Sequence, residues 1–131
     1  MILLDRKQLL DWVYGQYGTE PEYLWKKYPN YAVLRNSAGK WYGAVMDVPK
    51  NKIGLGCEET VDILDVKCDP LLIGSLCMQQ GFFQAYHMNK ENWIGIMLDG
   101  SADEEQIKGL LDMSYQLTMP KLKRAGKQQK R

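Results

Sequence analysis

A chain of 131 residues, 45% hydrophobic and 25% charged, is long enough for one self-sufficient core, and it carries no run of 18 apolar residues of the kind that crosses a membrane. Its net charge is +1, but six of the seventeen Lys/Arg and none of the sixteen Asp/Glu lie in residues 121–131, so residues 1–120 carry eleven bases against sixteen acids, a net of −5. A mildly acidic body with a basic tail argues against a uniformly basic surface and confines strong phosphate attraction to local clusters.

The first helix is signalled by Asp5 followed by Gln8, a capping-box pair, then by Leu9, Leu10, Val13 and Tyr17 at helical spacing, with Gly18 as the stop. Residues 19–30 read as a loop pinned by Tyr23, Leu24 and Trp25. Two strands, 31–36 and 40–48, flank Ser37, Ala38 and Gly39, a three-residue hairpin loop ending in glycine. Gly54, Leu55 and Gly56 form a connection without the lysine and serine of a phosphate loop. A third strand, 61–68, puts Leu64, Val66 and Cys68 on one face. Asp69 and Pro70 open a second helix, with Leu72, Ile73, Leu76 and Cys77 on one face and Gly81 at its end. Strands 82–88 and 93–98 flank a turn at 89–92, and Ile94, Ile96 and Leu98 alternate toward a core. Ser101 with Glu104 reads as the capping box of a last helix, whose buried stripe is Ile107, Leu110, Leu111, Ser114 and Leu117 and which Pro120 closes.

The order is α-β-β-β-α-β-β-α. It predicts an α+β fold in which one antiparallel five-stranded sheet carries all helices on one face. The other face is then expected to be partly open, bearing Asp65, Lys67, Gln84, Tyr86, Met88 and Trp93. Residues 1–120 read as one domain and 121–131 as a basic, disordered tail.

Chemistry-bearing clusters are sparse. Cys57, Cys68 and Cys77 are odd in number, and their spacings match no zinc or redox pattern, so they read as reduced thiols of a cytoplasmic protein. The N-terminus has a three-residue apolar run followed at once by Asp5, which is not the layout of a signal peptide. Asp62, Asp65 and Asp69 lack the glycine turn and terminal glutamate of a calcium loop. No catalytic, metal or cofactor constellation emerges, and the expectation is a non-enzymatic protein without cofactor.

Val66, Lys67, Cys68, Asp69 and Pro70, then Ala85, Tyr86, His87, Met88, Asn89 and Lys90 with Trp93 three residues on, then Ser114 and Tyr115 with Leu117, form a combination that resembles the MmcQ/YjbR family, found mainly in bacteria. Lys40, Trp41 and Tyr42 fit the family's lysine-aromatic start of its second strand. The resemblance spans roughly residues 5–118. It implies a fold similar to secretion chaperones and, more loosely, to frataxin-like domains. It also implies a double-wing DNA-binding role in which the two hairpins are the wings. The tail lies outside it.

The individual residues keep two readings each. His87, alternating with Phe83 and Ala85, points toward the helix-covered side and either fixes its hairpin or contacts a phosphate or base. Asn89 is turn chemistry, and Lys90 projects from a wing tip. Trp93 is sheet packing or a stacking platform. Lys67 forms an ion pair with Asp65 or contacts a ligand. The Ser114 and Tyr115 pair contributes packing plus a hydrogen bond from the tyrosine hydroxyl. The nucleic-acid candidates are therefore Arg35, Lys40, Lys67, His87, Asn89, Lys90, Trp93, Lys121, Lys123 and Arg124. The leading expectation is a DNA-binding domain. The alternative is a protein-interaction module, monomeric and off the membrane, taking a peptide on the open face beside Tyr86, Met88 and Trp93.

Overall fold

The computed structural model describes residues 4–120. Its elements are α1 (Arg6–Tyr17), β1 (Ala32–Arg35), β2 (Trp41–Pro49), β3 (Thr60–Lys67), α2 (Pro70–Leu76), β4 (Phe82–Gln84), β5 (Trp93–Met97) and α3 (Glu104–Thr118). A 3-10 turn, Lys50–Ile53, joins β2 to β3. The sheet order is β1-β2-β3-β5-β4, antiparallel at every pairing. This is the α+β fold read from the sequence.

Two helix starts follow their sequence signals. The Asp5 carboxylate accepts from the Gln8 amide at 2.9 Å while Gln8 Oε1 accepts from the Asp5 amide, so α1 has its capping box, and Gly18 closes the helix at φ 73°. Asp69 caps α2 ahead of Pro70. The third start differs. Asp103, not Ser101, caps α3, accepting from the Gln106 amide at 3.0 Å. Ser101 is held two residues earlier in a turn by Asp99, whose carboxylate accepts from the Ser101 amide. Glu104 and Glu105 still occupy the first turn, where the positive end of the helix dipole favours them.

Two elements are shorter than expected. α2 ends at Leu76, and turns carry the chain to Gly81, whose φ of 93° starts β4. A Cβ there would lie 2.9 Å from the Ala102 nitrogen, so glycine is required by space as well as by backbone. β4 stops at Gln84, and His87, three residues on, takes φ 66°, which no strand continues. The second expected hairpin is therefore an eight-residue connection, 85–92.

All three helices cover one face of the sheet. Leu9 and Val13 of α1, Leu76 of α2, and Ile107, Leu110 and Leu111 of α3 pack on Leu34, Val45, Leu64, Val66, Ile94 and Ile96. Ser114 locks α3 to the strands. Its fully buried hydroxyl accepts from the Lys67 amide at 2.9 Å and donates to the Tyr42 carbonyl at 2.6 Å. Tyr115 accepts from the Ser37 amide rather than donating, and its ring stacks on Tyr17 with centroids 4.2 Å apart. Asn36 ties the β1–β2 loop to the end of α3. Its carbonyl oxygen accepts from the Ala38 and Lys40 amides, and its Nδ2 donates to Thr118.

The opposite face is less open than the alternation suggested. Tyr31, Ala44, Met46, Val48, Val61 and Ile63 form a second buried cluster, with Ile53, Phe83, Tyr86 and Met88 packed against it. The covering comes from the 3-10 turn and the 85–92 connection, neither of which strand periodicity reveals. Glu22, in the loop before β1, exchanges backbone hydrogen bonds with Val33 and so pairs with the outer edge of β1.

Candidate functional site

At one end of the sheet, Lys40, Trp41, Lys67 and Trp93 come together with Ala38, Leu117, Thr118, Met119 and Pro120 around a groove of about 540 Å³. Local structure explains the convergence. Lys67 ends β3 directly opposite Trp93, the first residue of β5. A register shift between Leu34 and Arg35 swings Trp41 across the end of β1, and the Asn36 bonds fix Lys40 at the loop exit. Ser114 then brings the C-terminal turn of α3 past the same edge. No acidic residue lines the groove.

The other candidates lie apart. The Arg35 guanidinium donates to Glu22 at 3.0 Å and to the Gly39 carbonyl at 3.0 Å, and it sits 5.9 Å from the centre of the Trp41 ring. These contacts hold the guanidinium to the loops on either side of β1. Asn89 forms the expected turn, its side chain accepting from the Glu91 amide at 2.8 Å. Lys90 borders a different cavity, with Lys52, Gln84 and Tyr86. Lys121, Lys123 and Arg124 lie outside the described residues.

His87 corrects its expected placement. It does not face the helices. Its left-handed backbone takes it out of strand alternation, and its ring packs on Tyr86 at 3.8 Å and borders an aromatic pocket of about 400 Å³ on the helix-free face. Trp25, Tyr28, Tyr31 and Trp41 supply the other rings, with Ala32, Ala44, Met46 and Met88 between them. Sequence reading missed this site. Its signal was the run of aromatics in the 19–30 loop, taken there as anchors only.

Asp65 is the most perturbed group of the described chain. It was expected to pair with Lys67 on an open surface. Instead it is fully buried, and neither carboxylate oxygen has a hydrogen-bond partner. Its β5 neighbour is Gly95, and a Cβ on Gly95 would fall 2.3 Å from the Phe83 ring, so that ring lies over this part of the sheet. Burial pushes the carboxyl up to about 8. The nearby Tyr86 amide, outside hydrogen-bond geometry, and the Lys90 charge oppose the rise without cancelling it. Among the described residues no group of acids, histidine and cysteines could hold a metal ion, and no helix is long and apolar enough to cross a membrane.

Comparison with known proteins finds relatives from several bacteria. The sequence model of the YjbR family matches residues 14–117. Bacillus subtilis YyaQ, described as uncharacterized, is 41% identical over 117 residues, covering 88% of this chain and 99% of its own. A Pseudomonas syringae protein solved by crystallography is 43% identical, with a TM-score of 0.85 over 88% of this chain and 99% of that one. Its solution NMR structure gives 0.78 over 88% and 93%. A Deinococcus radiodurans protein at 21% identity shares the fold, with a TM-score of 0.69 over 92% of this chain and 83% of its own.

Proposed function

Because the chain belongs to the YjbR family, we propose, from its own geometry, that it is a non-enzymatic nucleic-acid-binding domain whose contact surface is the groove of Lys40, Trp41, Lys67 and Trp93. One observation carries the reading. Lys40 at the β1–β2 loop exit, Trp41 of β2, Lys67 of β3 and Trp93 of β5 line a single acid-free groove, and Pro120, another of its lining residues, leads in sequence into the six bases of residues 121–131. Lysines neutralise backbone phosphates, and indole faces stack on bases whatever their sequence. The acidic remainder of the body then limits contact to this end of the molecule. Neither His87 nor Asp65 lines the groove, so no acid–base pair serves it. This reading replaces the two-wing contact with one wing, the β1–β2 loop, together with the sheet end.

The test is binding of a fluorescent single strand and a fluorescent duplex over a salt titration. Each phosphate neutralised on a single strand contributes roughly 0.7 to the slope of log affinity against log salt, so Lys40→Gln with Lys67→Gln should lower it by about 1.4. Truncation after Pro120 removes six charges and should lower it by up to about 4. Slopes indifferent to the two lysines would leave only tail electrostatics and overturn the groove. Absence of binding at low salt would favour the protein-interaction alternative. Its best surface is then the exposed Tyr23, Leu24, Trp25 and Tyr28 of the loop before β1.

A further inference from the structure

The aromatic pocket on the helix-free face is chemically unlike the groove. Five of its nine lining residues carry rings (Trp25, Tyr28, Tyr31, Trp41 and His87), and none is a lysine or arginine. Its walls are set at steep angles. The Trp25 plane stands at 87° to Trp41, with centroids 5.9 Å apart, and at 73° to Tyr31, with centroids 6.0 Å apart. Tyr28 stacks on Tyr31 at 4.6 Å and thickens that wall. Both Trp25 contacts are edge-to-face, so the pocket wall is built of ring faces and edges together, and a cation seated over one of the faces would be attracted by the ring quadrupole.

Two further observations bear on the occupant. The charges nearest the pocket do not line it: the Asp47 carboxylate, accepting from Asn30 at 3.0 Å, lies beside Tyr31, and the Arg35 guanidinium, 5.9 Å from the centre of the Trp41 ring, is paired with Glu22. No lining residue is a lysine or arginine, so an anionic ligand would find no fixed positive charge in the pocket wall. Second, His87 is the only described non-glycine residue with a left-handed φ, and that strain sets its ring against the pocket rim. Backbone strain of this kind persists where surrounding structure over-determines it, commonly at ligand sites.

We propose that this pocket binds a small organic cation carrying a methylated ammonium group, held by Trp25, Tyr31 and Trp41. About 400 Å³ falls in the range of small-ligand sites. A methylated ammonium suits it because such a cation is weakly hydrated and needs no hydrogen-bond partner. The site shares Trp41 with the lysine groove and none of its other lining residues.

The experiment compares choline with 3,3-dimethyl-1-butanol, its uncharged isostere, on the full chain. Indole N–H resonances report binding, and a trimethyl-lysine peptide serves as a further arm. Choline should saturably shift the Trp25 and Trp41 indoles while Trp12 and Trp93 stay still, and the neutral isostere should bind at least tenfold more weakly. Trp25→Leu, at a partly exposed position, should weaken choline at least tenfold without loss of fold. Equal binding of the two probes would show an apolar cavity with no preference for charge and overturn the proposal, as would no response to either. A response to the peptide but not to choline would also overturn it, since the occupant would then be a protein side chain. Should Trp25→Leu fail to fold, the comparison of the two probes on the native chain still decides.

Discussion

Replacing Asp65 by asparagine should change how stability depends on pH more than stability itself. The unfolded chain loses this proton in the ordinary carboxylate range near pH 4, whereas the native state holds it until about 8. Between those values the native state binds more protons than the unfolded state, so the stability of folding falls as pH rises. The contribution is fully present below the unfolded value and lost as pH climbs through the native one. A shift of about four units corresponds to a span on the order of 5 kcal/mol, a large part of what a small domain possesses. That is an upper bound, because lifting the 85–88 segment would admit water at lower cost than ionising the carboxyl in place. Asparagine keeps the shape and removes the titration. Urea unfolding of both proteins at about pH 5, 7 and 9 isolates the effect, since every other group cancels in the difference. The wild type should be the more stable or equal protein at the acid end, and the variant more stable by several kcal/mol at the alkaline end. A difference that stays constant across the series would refute the reasoning and mean that Asp65 is ionised, and therefore solvated or paired, in the native protein.

Ser114→Ala should cost about 1–3 kcal/mol, because it strands both the Lys67 amide and the Tyr42 carbonyl in a buried site; denaturant titration reads it, and a neutral result would mean α3 is held by packing alone. Gly95→Ala drives a methyl into the Phe83 ring and should destabilise by roughly 1–3 kcal/mol, with partial recovery when Phe83→Leu is added, measured as a double-mutant cycle. Truncation after Pro120 should leave the melting temperature unchanged, since the family match ends at residue 117; a drop of several degrees would show that the tail contributes to the fold.

Legibility in the sequence followed the range of the interaction concerned. Asp5, Asp69 and most of the helix stripes are local features, and the structure places them as read, except that Leu72 and Leu117, expected to be buried, are exposed because each lies at the margin of its helix's packed face. The α3 cap was missed by two residues because Ser101 and Asp103 both satisfy the pattern, and only the Asp99 turn decides between them. Strand alternation put Asp65 on the correct face but could not show that Phe83 and the 85–88 segment cover it. His87 was placed wrongly because alternation was extended past Gln84, where the left-handed residue ends the strand. Lys40, Lys67 and Trp93 were each singled out, but their convergence depends on the register of β3 against β5 and on the Asn36 and Ser114 bonds, all long-range. The aromatic pocket was the least visible feature, since its rings come from the loop before β1, the first residue of β2 and the 85–92 connection.

Residue-level mapping decides whether the groove takes nucleic acid: amide and indole spectra of the full chain titrated with a short single strand at low salt. Shifts are expected at Lys40, Trp41, Lys67 and the Trp93 indole, fading together as salt is raised, with Lys90 and the Arg35 contacts undisturbed. Shifts confined to residues 121–131, or centred on the 85–92 connection, would contradict contact at the groove.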